Sequence, residues 1–431
     1  MGSPPHGDGP PMKVALVHDW LTGIRGGERV LERMCARFPG APIYTLVWKP
    51  GAVAGPIESH PIRTSFVQGL PEADRFYRWY LPLFPRAIET FDFTGFDAVV
   101  SSSHCVAKSV RVPPGTFHLS YLHTPMRYVY DLKDVYFPPG RFPWPVSAWV
   151  DRTLAGLRRW DIATSGRAHA MLCNSAHVAD RIRRHYGREA DVIHPPVDVA
   201  RYGTAAPFAP ASAPSDSGGA GTAHGAIGRP FYLLAGAFAP YKRTDLAIEA
   251  CVKLGRRVLV VGMGQDERAL RKLVQSGVEF VGWTSDSHLA ELYRQAQALI
   301  FPGEEDFGIV PVEAMASGCP VIAYGRGGAV ETVGRGADAH TLARVTAGGA
   351  ARVPGGVLFG TQSVDGVIAG IVALEHEPFD RSGLPERAEP FGVERFDREF
   401  TAAFERHWRA WQDGRAAAGQ VAQRASVSAS P

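Results

Sequence analysis

Short apolar runs recur along the chain, separated by longer stretches in which apolar positions return at helical spacing. In the amino-terminal half the runs are Lys13–His18, Ile43–Val47, Asp97–Ser101, Phe117–Leu122, Ala168–Cys173 and Asp191–His194. In the carboxyl-terminal half they are Phe231–Leu234, Val258–Val261, Val278–Val281, Ala298–Phe301, Val321–Ala323 and Val357–Phe359. Runs this short and apolar predict strands buried on both faces. The stretches between them predict helices, among them Glu28–Phe38, Asp245–Leu254, Asp266–Gln275 and Ser287–Gln295. Strands alternating with helices imply two α/β units, each a mainly parallel sheet covered by helices. The predicted units are 12–203 and 230–392. Between them, Thr204–Arg229 is rich in Gly, Ala, Ser and Pro and has no core of its own, so it reads as a linker or idle loop rather than a lid. A last helix, 393–412, carries Phe396, Phe400, Ala403, Phe404, Trp408 and Trp411 at helical spacing. Residues 1–11 and 413–431 read as disordered tails.

The segment Phe301–Ala323 carries the most chemistry. An apolar strand ends at Pro302-Gly303, an acidic turn follows, and a helix runs from Gly308 through Ser317 until Gly318 and Pro320 stop it before the next strand. Strand, loop, helix, strand is half of a nucleotide-binding α/β unit. Glu305 lies in the loop and Glu313 in the helix, so the two carboxylates do not share a solvated face. A helix N-terminus presents free N–H groups and a positive dipole end, which suit a diphosphate. Carboxylates accept hydrogen bonds from vicinal hydroxyls, as on a ribose or hexose. The bland alternative is a buried helix that happens to carry two glutamates.

Three further places share this character. The loop GAFAPYKR, Gly236–Arg243, follows a strand and precedes a helix, and ends in the cations Lys242 and Arg243. Cations at a helix start oppose its dipole, so a negative group is expected there. Gly26 and Gly27 sit between the first strand and the first helix, where small residues let a backbone approach a phosphate or sugar. Gly-Gly alone is weak, and Glu28 beside it also reads as an ordinary first-turn carboxylate. His123 ends the strand Phe117–Leu122, and Arg127, Tyr128 and Asp131 follow it as acceptor candidates, with Arg25. His104 after Ser101–Ser103 is open between a site and a structural role. Gly262–Gly264 and Val281–Thr284 follow strands of the second unit. Trp283 there is open between stacking on a nucleobase and simple core packing.

Composition narrows the classes. The chain has 431 residues, 45% of them hydrophobic, enough for two cores. A formal net charge of +3 gives no reason to expect a nucleic-acid partner. Five widely spaced cysteines, Cys35, Cys105, Cys173, Cys251 and Cys319, argue for a reducing cytosol rather than a disulfide framework or zinc site. No run is long enough to cross a bilayer, and residues 1–11 lack the apolar centre of a signal peptide. No Asp-x-Asp metal motif follows a strand, and Asp131-Leu-Lys-Asp134 has the wrong spacing, so no metal is expected. Aromatic residues in Phe76–Phe96 and Phe137–Trp149, with Arg152, Arg158, Arg159 and Arg181–Arg184, describe either a membrane-touching surface or core aromatics plus solvated arginines.

The segment EDFGIVPVEAMASGCPVIA resembles the donor-site signature of the retaining glycosyltransferases of family 4. The likeness extends through HDWLTGIRGGERVLERM, SSSHCVAKS, YLHTPMRYVYDL, VIHPPVDV and AFAPYKRTDLAIEA in the expected order, from Lys13 to about Trp411. It implies the GT-B fold, two Rossmann-like domains facing across a cleft, with the last helix packing back on the first. It implies that Lys242 meets the donor diphosphate; Ala237 stands where many relatives have a second cation, an arginine, and Arg243 is the candidate substitute. It places Glu305 and His123 on the transferred sugar and Glu313 on the ribose. The remaining donor contacts fall on Gly26, Gly27, Gly236, Gly262, Gly264, Val281, Trp283, Phe307, Gly308, Ile309 and Val310. Among such enzymes the likeness is greatest to bacterial GDP-mannose-dependent mannosyltransferases of polysaccharide assembly. The implied reaction moves mannose from GDP-mannose to a saccharide or lipid-linked saccharide, without cofactor or metal, in the cytoplasm or at the inner face of the plasma membrane. A UDP-sugar enzyme acting on a small-molecule acceptor, and a GT-B-shaped protein that binds nucleotide sugar without turnover, are the competing readings.

Overall fold

The structure is a computed structural model that describes residues 12–53, 55–140, 142–203 and 230–428. Residues 1–11 and 204–229, expected as tail and linker, lie outside the described residues. The chain divides into two compact units, 1–195 with 396–431, and 196–395. The short helix Val199–Gly203, expected to close the first unit, belongs to the second. Its Tyr202 joins the second unit's core.

The first unit has strands β1 (Val14–His18), β2 (Ile43–Thr45), β3 (Ile62–Thr64), β4 (Ala98–Ser103), β5 (Phe117–Leu122), β6 (Ala170–Cys173) and β7 (Asp191–Val192). They form one sheet in the order β3-β2-β1-β4-β5-β6-β7, parallel throughout. β1, VALVH, is buried at every position. Val14 and Leu16 enter one core, whereas Ala15 and Val17 enter the core on the other face, as the two-residue period of a strand requires. Helix α1 (Gly26–Arg37) covers the first face with Val30, Leu31, Met34 and Cys35. Helix α2 (Trp144–Thr164) covers the other with Leu154 and Leu157, and α3 (Ala176–Tyr186) follows β6. A buried ion pair, Lys108 Nζ to Asp161 Oδ1 at 2.6 Å, fastens α2 to the turn after β4. The hydroxyls of Tyr130 and Tyr186 both donate to Asp161 Oδ2, at 2.7 and 2.6 Å, so the desolvated carboxylate is fully engaged.

The second unit has strands β8 (Tyr232–Ala235), β9 (Val258–Val261), β10 (Val278–Gly282), β11 (Leu299–Phe301), β12 (Val321–Tyr324), β13 (Ala350–Val353) and β14 (Gly356–Phe359). Their order is β10-β9-β8-β11-β12-β14-β13, and only the β13–β14 pair is antiparallel. Helices α4 (Thr244–Lys253), α5 (Asp286–Gln295), α6 (Ile309–Ala316) and α7 (Val364–Glu375) pack on its faces. The predicted helix Asp266–Gln275 is a single turn, Glu267–Leu270, followed by a 3₁₀ turn. β3 and β13 escape the sequence reading because each is an edge strand with few buried side chains.

Helix α8 (Val393–Ser428) starts in the second unit and continues in the first. Phe396, Phe400, Ala403 and Phe404 are buried in the first unit's core, with Phe38 and Phe404 rings 5.1 Å apart. The expected disordered tail from 413 is corrected here, because the helix runs on to Ser428. Residues 413–428 include five alanines, the residue that costs least in a helix.

Candidate functional site

Open parallel sheets bind ligands at the carboxyl ends of the strands, where the strand order reverses. The first sheet reverses between β1 and β4, the second between β8 and β11. The predicted site residues fall at these two places.

In the first unit, parallel register sets His18 at the end of β1 beside Ser102 of β4. His123 follows β5 by one residue, its N–H donating to the Ser103 carbonyl at 2.8 Å. The Ser102 hydroxyl sits 3.1 Å from His18 Nδ1 and 2.8 Å from His123 Nε2. His18 Nε2 lies 3.6 Å from Glu28 Oε1. Glu28 is the third residue of α1, and its other oxygen accepts the Arg25 N–H at 2.8 Å. Burial alone would raise the Glu28 carboxyl; contact with His18 and the nearby His104 holds it down at about 2. Burial, then the neighbouring imidazoles of His104 and His18, push His123 down to about 3. Gly27 packs against both rings, since a Cβ there would stand 3.5 Å from His123 Nε2 and from His18 Cε1. That is ordinary van der Waals contact, so the two rings leave space for a Cβ and do not by themselves require a glycine.

Asp19, next to His18, is fully buried and accepts backbone N–H bonds from His104, Cys105, Val106 and Ala107 at 2.6–2.8 Å. So occupied, it holds the turn after β4 in place. His104 Nδ1 lies 3.4 Å from it, and the His104 ring sits edge-on to Trp20 at 4.3 Å. Of the other acceptor candidates, Arg25 is exposed and Arg127 opens the short helix Arg127–Tyr130. The Tyr128 hydroxyl meets Cys105 Sγ at 2.9 Å. Asp131 takes the Arg181 guanidinium, with Nε at 2.9 Å. Arg181, expected among the surface cations, is corrected to a buried residue. It also meets Thr124 and so ties the loop after β5 to α3. Sequence reasoning gave no site role to His18, Ser102 or Asp19. The available signal was polar residues closing otherwise apolar strands.

In the second unit, the loop after β8 carries Gly236, Lys242 and Arg243, and the loop after β11 carries Glu305. The Lys242 ammonium contacts the Glu305 carboxylate directly. Gly303 allows the approach, because a Cβ there would fall 2.9 Å from Lys242 Cα and 3.0 Å from the Tyr241 carbonyl. Arg243 takes a left-handed backbone at the head of α4 and bonds Asp245 at 3.0–3.3 Å. Gly327 and Gly328 press on the backbone of Glu305 and Phe307, and the Gly328 N–H donates to the Glu305 carbonyl at 2.8 Å. These glycines, missed in the sequence, fix the acidic loop.

Gly308, at φ 89°, turns the chain into α6. Phe307 is buried against Phe391 at 5.5 Å, so its backbone rather than its ring faces the helix start, and Ile309 and Val310 are half-buried. Glu313 hydrogen-bonds the Tyr202 phenol, whose proton affinity is raised first by burial and then by that carboxylate. Gly262 and Gly264 lie tight against the backbone of Gly236 and Phe238, which binds the β9 loop to the β8 loop. Met263, Val281 and Trp283 are exposed, Trp283 at 74%, so core packing of Trp283 is corrected. The five cysteines are buried and none is in a disulfide, and no described helix is long and apolar enough to cross a membrane.

Two parallel α/β units of this topology, each with its polar residues at the switch point, are the GT-B fold. Solved structures of that shape match along nearly the whole chain. Sucrose-phosphate synthase from Thermosynechococcus elongatus superposes with TM-score 0.64 at 17% identity, covering 93% of this chain and 100% of its own. Anabaena HepE in complex with UDP superposes with TM-score 0.60 at 16% identity, covering 91% and 100%. Residues 24–201 match the family model described as Glycosyltransferase Family 4, and residues 225–347 that described as Glycosyl transferases group 1. The chain is thus a GT-B protein like the group 1 and family 4 glycosyltransferases.

Curated relatives match over shorter stretches. D-inositol 3-phosphate glycosyltransferase of Streptomyces bingchenggensis is 30% identical over 190 residues, 38% of this chain and 39% of that protein. Human Alpha-1,3/1,6-mannosyltransferase ALG2 is 35% identical over 126 residues, 23% and 30%. The match to the first of these therefore spans about two fifths of its length.

The buried ionisable groups set a direction for pH. Glu28 has a folded pKa below its ordinary value, so its contribution is complete above about pH 4.5 and is lost as pH falls towards 2. His123 and His118 are both pushed down to about 3, so below pH 6.5 the unfolded chain binds more protons than the folded one. Both effects have one sign. The first unit is expected to lose stability steadily from about pH 6.5 downward, read as a falling urea midpoint between pH 7 and 4. A midpoint that stayed flat or rose on acidification would contradict these assignments.

Proposed function

We propose that this chain is a retaining hexosyltransferase. It moves a hexose, mannose from GDP-mannose in the preferred reading, to a hydroxyl of a saccharide or lipid-linked saccharide. The observation that carries the reading is the Lys242–Glu305 contact at the β8/β11 switch point, beside the N-terminus of α6. Without donor, the cation and carboxylate neutralise one another. With donor bound, Lys242 turns to the diphosphate and Glu305 to the sugar hydroxyls. Charge building on the leaving phosphate is then met by Lys242, by Arg243 once released from Asp245, and by the first N–H groups of α6. Glu313 accepts from the ribose, exposed Trp283 offers a face to the base, and His123 reaches the transferred sugar. Neither cofactor nor metal enters this scheme.

Mannose is favoured by the motif likeness and by the mannosyltransferase named among the relatives. The UDP bound to HepE names the competing nucleotide. A thermal-shift comparison of GDP, UDP, ADP and TDP separates them. A ligand confined to the native state adds about 2.7 kcal/mol at a hundredfold excess over its Kd. GDP is expected to raise Tm most; stabilisation by UDP but not GDP would overturn the donor and leave the transferase reading standing.

Kinetics apportion the roles. Glu313→Ala is expected to weaken donor binding chiefly, because ribose hydroxyls are held alike in ground and transition states. Glu305→Ala is expected to lower kcat. Lys242→Ala is expected to lower kcat by about two orders of magnitude or more, and transfer is expected to survive EDTA. Loss of KM alone in Glu305→Ala, or transfer restored after EDTA by one divalent ion, would contradict the scheme.

The same reading includes a membrane-held acceptor. In the first unit Trp79, Trp144 and Trp149 are exposed at 80%, 82% and 57%, and Arg75 and Arg78 lie over Phe76 and Tyr77. Aromatic rings flanked by arginines suit an anionic lipid surface. Co-sedimentation with phosphatidylglycerol vesicles is expected, lost in a Trp79→Ala/Trp144→Ala variant; equal sedimentation of both proteins would dispose of the contact.

A further inference from the structure

The first-unit cluster has a polarity. Ser102 has one hydroxyl proton and faces two imidazole nitrogens, His18 Nδ1 at 3.1 Å and His123 Nε2 at 2.8 Å. A hydroxyl donates once, so one nitrogen receives its proton and the other supplies one. The carboxylate of Glu28 lies 3.6 Å from His18 Nε2, beyond hydrogen-bond length, and its negative charge favours a proton on that nitrogen. A neutral His18 therefore has a bare Nδ1, which accepts from Ser102. Ser102 Oγ accepts in turn from His123 Nε2–H, and His123 Nδ1 is left as a lone-pair acceptor.

The chain can run the other way without any ring turning. A proton taken up at His123 Nδ1 releases the proton on His123 Nε2 to Ser102 Oγ. The proton Ser102 held passes to His18 Nδ1. One proton enters and one N–H bond is gained, and the charge comes to rest on His18 beside Glu28. His123 is then neutral with its proton on Nδ1, a donor. The other groups facing the cluster are Asp19 at the end of β1, His104 after β4 and Arg25 at the head of α1. Glu28 and Asp19 favour a charge on His18, whereas Arg25 opposes it. Burial and the adjacent imidazoles depress His123 itself, which agrees with the charge resting elsewhere.

We propose that Glu28, His18 and Ser102 form a relay that makes His123 a hydrogen-bond acceptor at Nδ1 when His18 is neutral and a donor when His18 is charged. Glu28, His18 and Ser102 are positioning residues, acting through His123. The proposal rests on the transferase reading only in assigning a substrate hydroxyl to His123 Nδ1.

Nitrogen-15 NMR of the full chain, labelled at histidine and titrated from pH 8 to 5, tests it. In the wild type, His123 is expected to change from the Nε2–H to the Nδ1–H tautomer over the same pH range in which His18 gains its second proton. Ser102→Ala is expected to uncouple them, with His123 unchanged while His18 titrates, and Ser102→Thr to restore the coupling. The relay is overturned if His123 keeps one tautomer throughout in the wild type, if Ser102→Ala shows the same change, or if His18 takes up no second proton while the chain stays folded. A coupled switch in a chain that transfers no sugar would retain the relay and overturn the function.

Discussion

The reversal of strand order in each sheet is the constraint on which the rest depends. β1 and β4 are neighbours in space but leave the sheet towards opposite sides, as do β8 and β11. The loops that follow them separate, and a crevice remains at their carboxyl ends. Parallel strands need both faces covered, so the runs that feed these loops are buried along almost their whole length. Polar side chains appear where that cover ends, and at these edges His18, Ser102, His123, Lys242 and Glu305 are found.

Glycine decides how closely the loops then approach. Gly303 brings the Glu305 loop onto Lys242, and Gly327 and Gly328 hold that loop from behind. A side chain at any of these positions would displace backbone or a catalytic candidate. The resulting sites are electrically balanced before any ligand arrives. Lys242 is matched by Glu305, Arg243 by Asp245, and the His18 edge by Glu28. A diphosphate would exchange one anionic partner of Lys242 for another, without leaving a desolvated charge unpaired.

Much of this was legible in the chain itself. The strands of both sheets follow from short apolar runs, and Glu305, Lys242 and His123 stand out as polar residues where such runs end. What could not be read were pairings made across sequence. Ser102 meets His18 only through parallel register, Asp19 serves a turn more than eighty residues away, and Arg181 reaches back to Asp131 from α3. Edge strands β3 and β13 bury too little to leave a pattern. Trp283 shows the converse limit: its sequence context left base stacking and core packing equally open, and only its 74% exposure decides against the core.

The central claim is that the chain turns over a nucleotide sugar at the β8/β11 switch point. Proton NMR of the purified protein with GDP-mannose, and in parallel with UDP-glucose, tests it most directly, by following the anomeric signal without added acceptor. The account predicts slow appearance of free sugar and nucleoside diphosphate in molar excess over protein, abolished by Glu305→Ala. Donor that binds but stays intact over many protein equivalents, or release unaffected by Glu305→Ala, would contradict it.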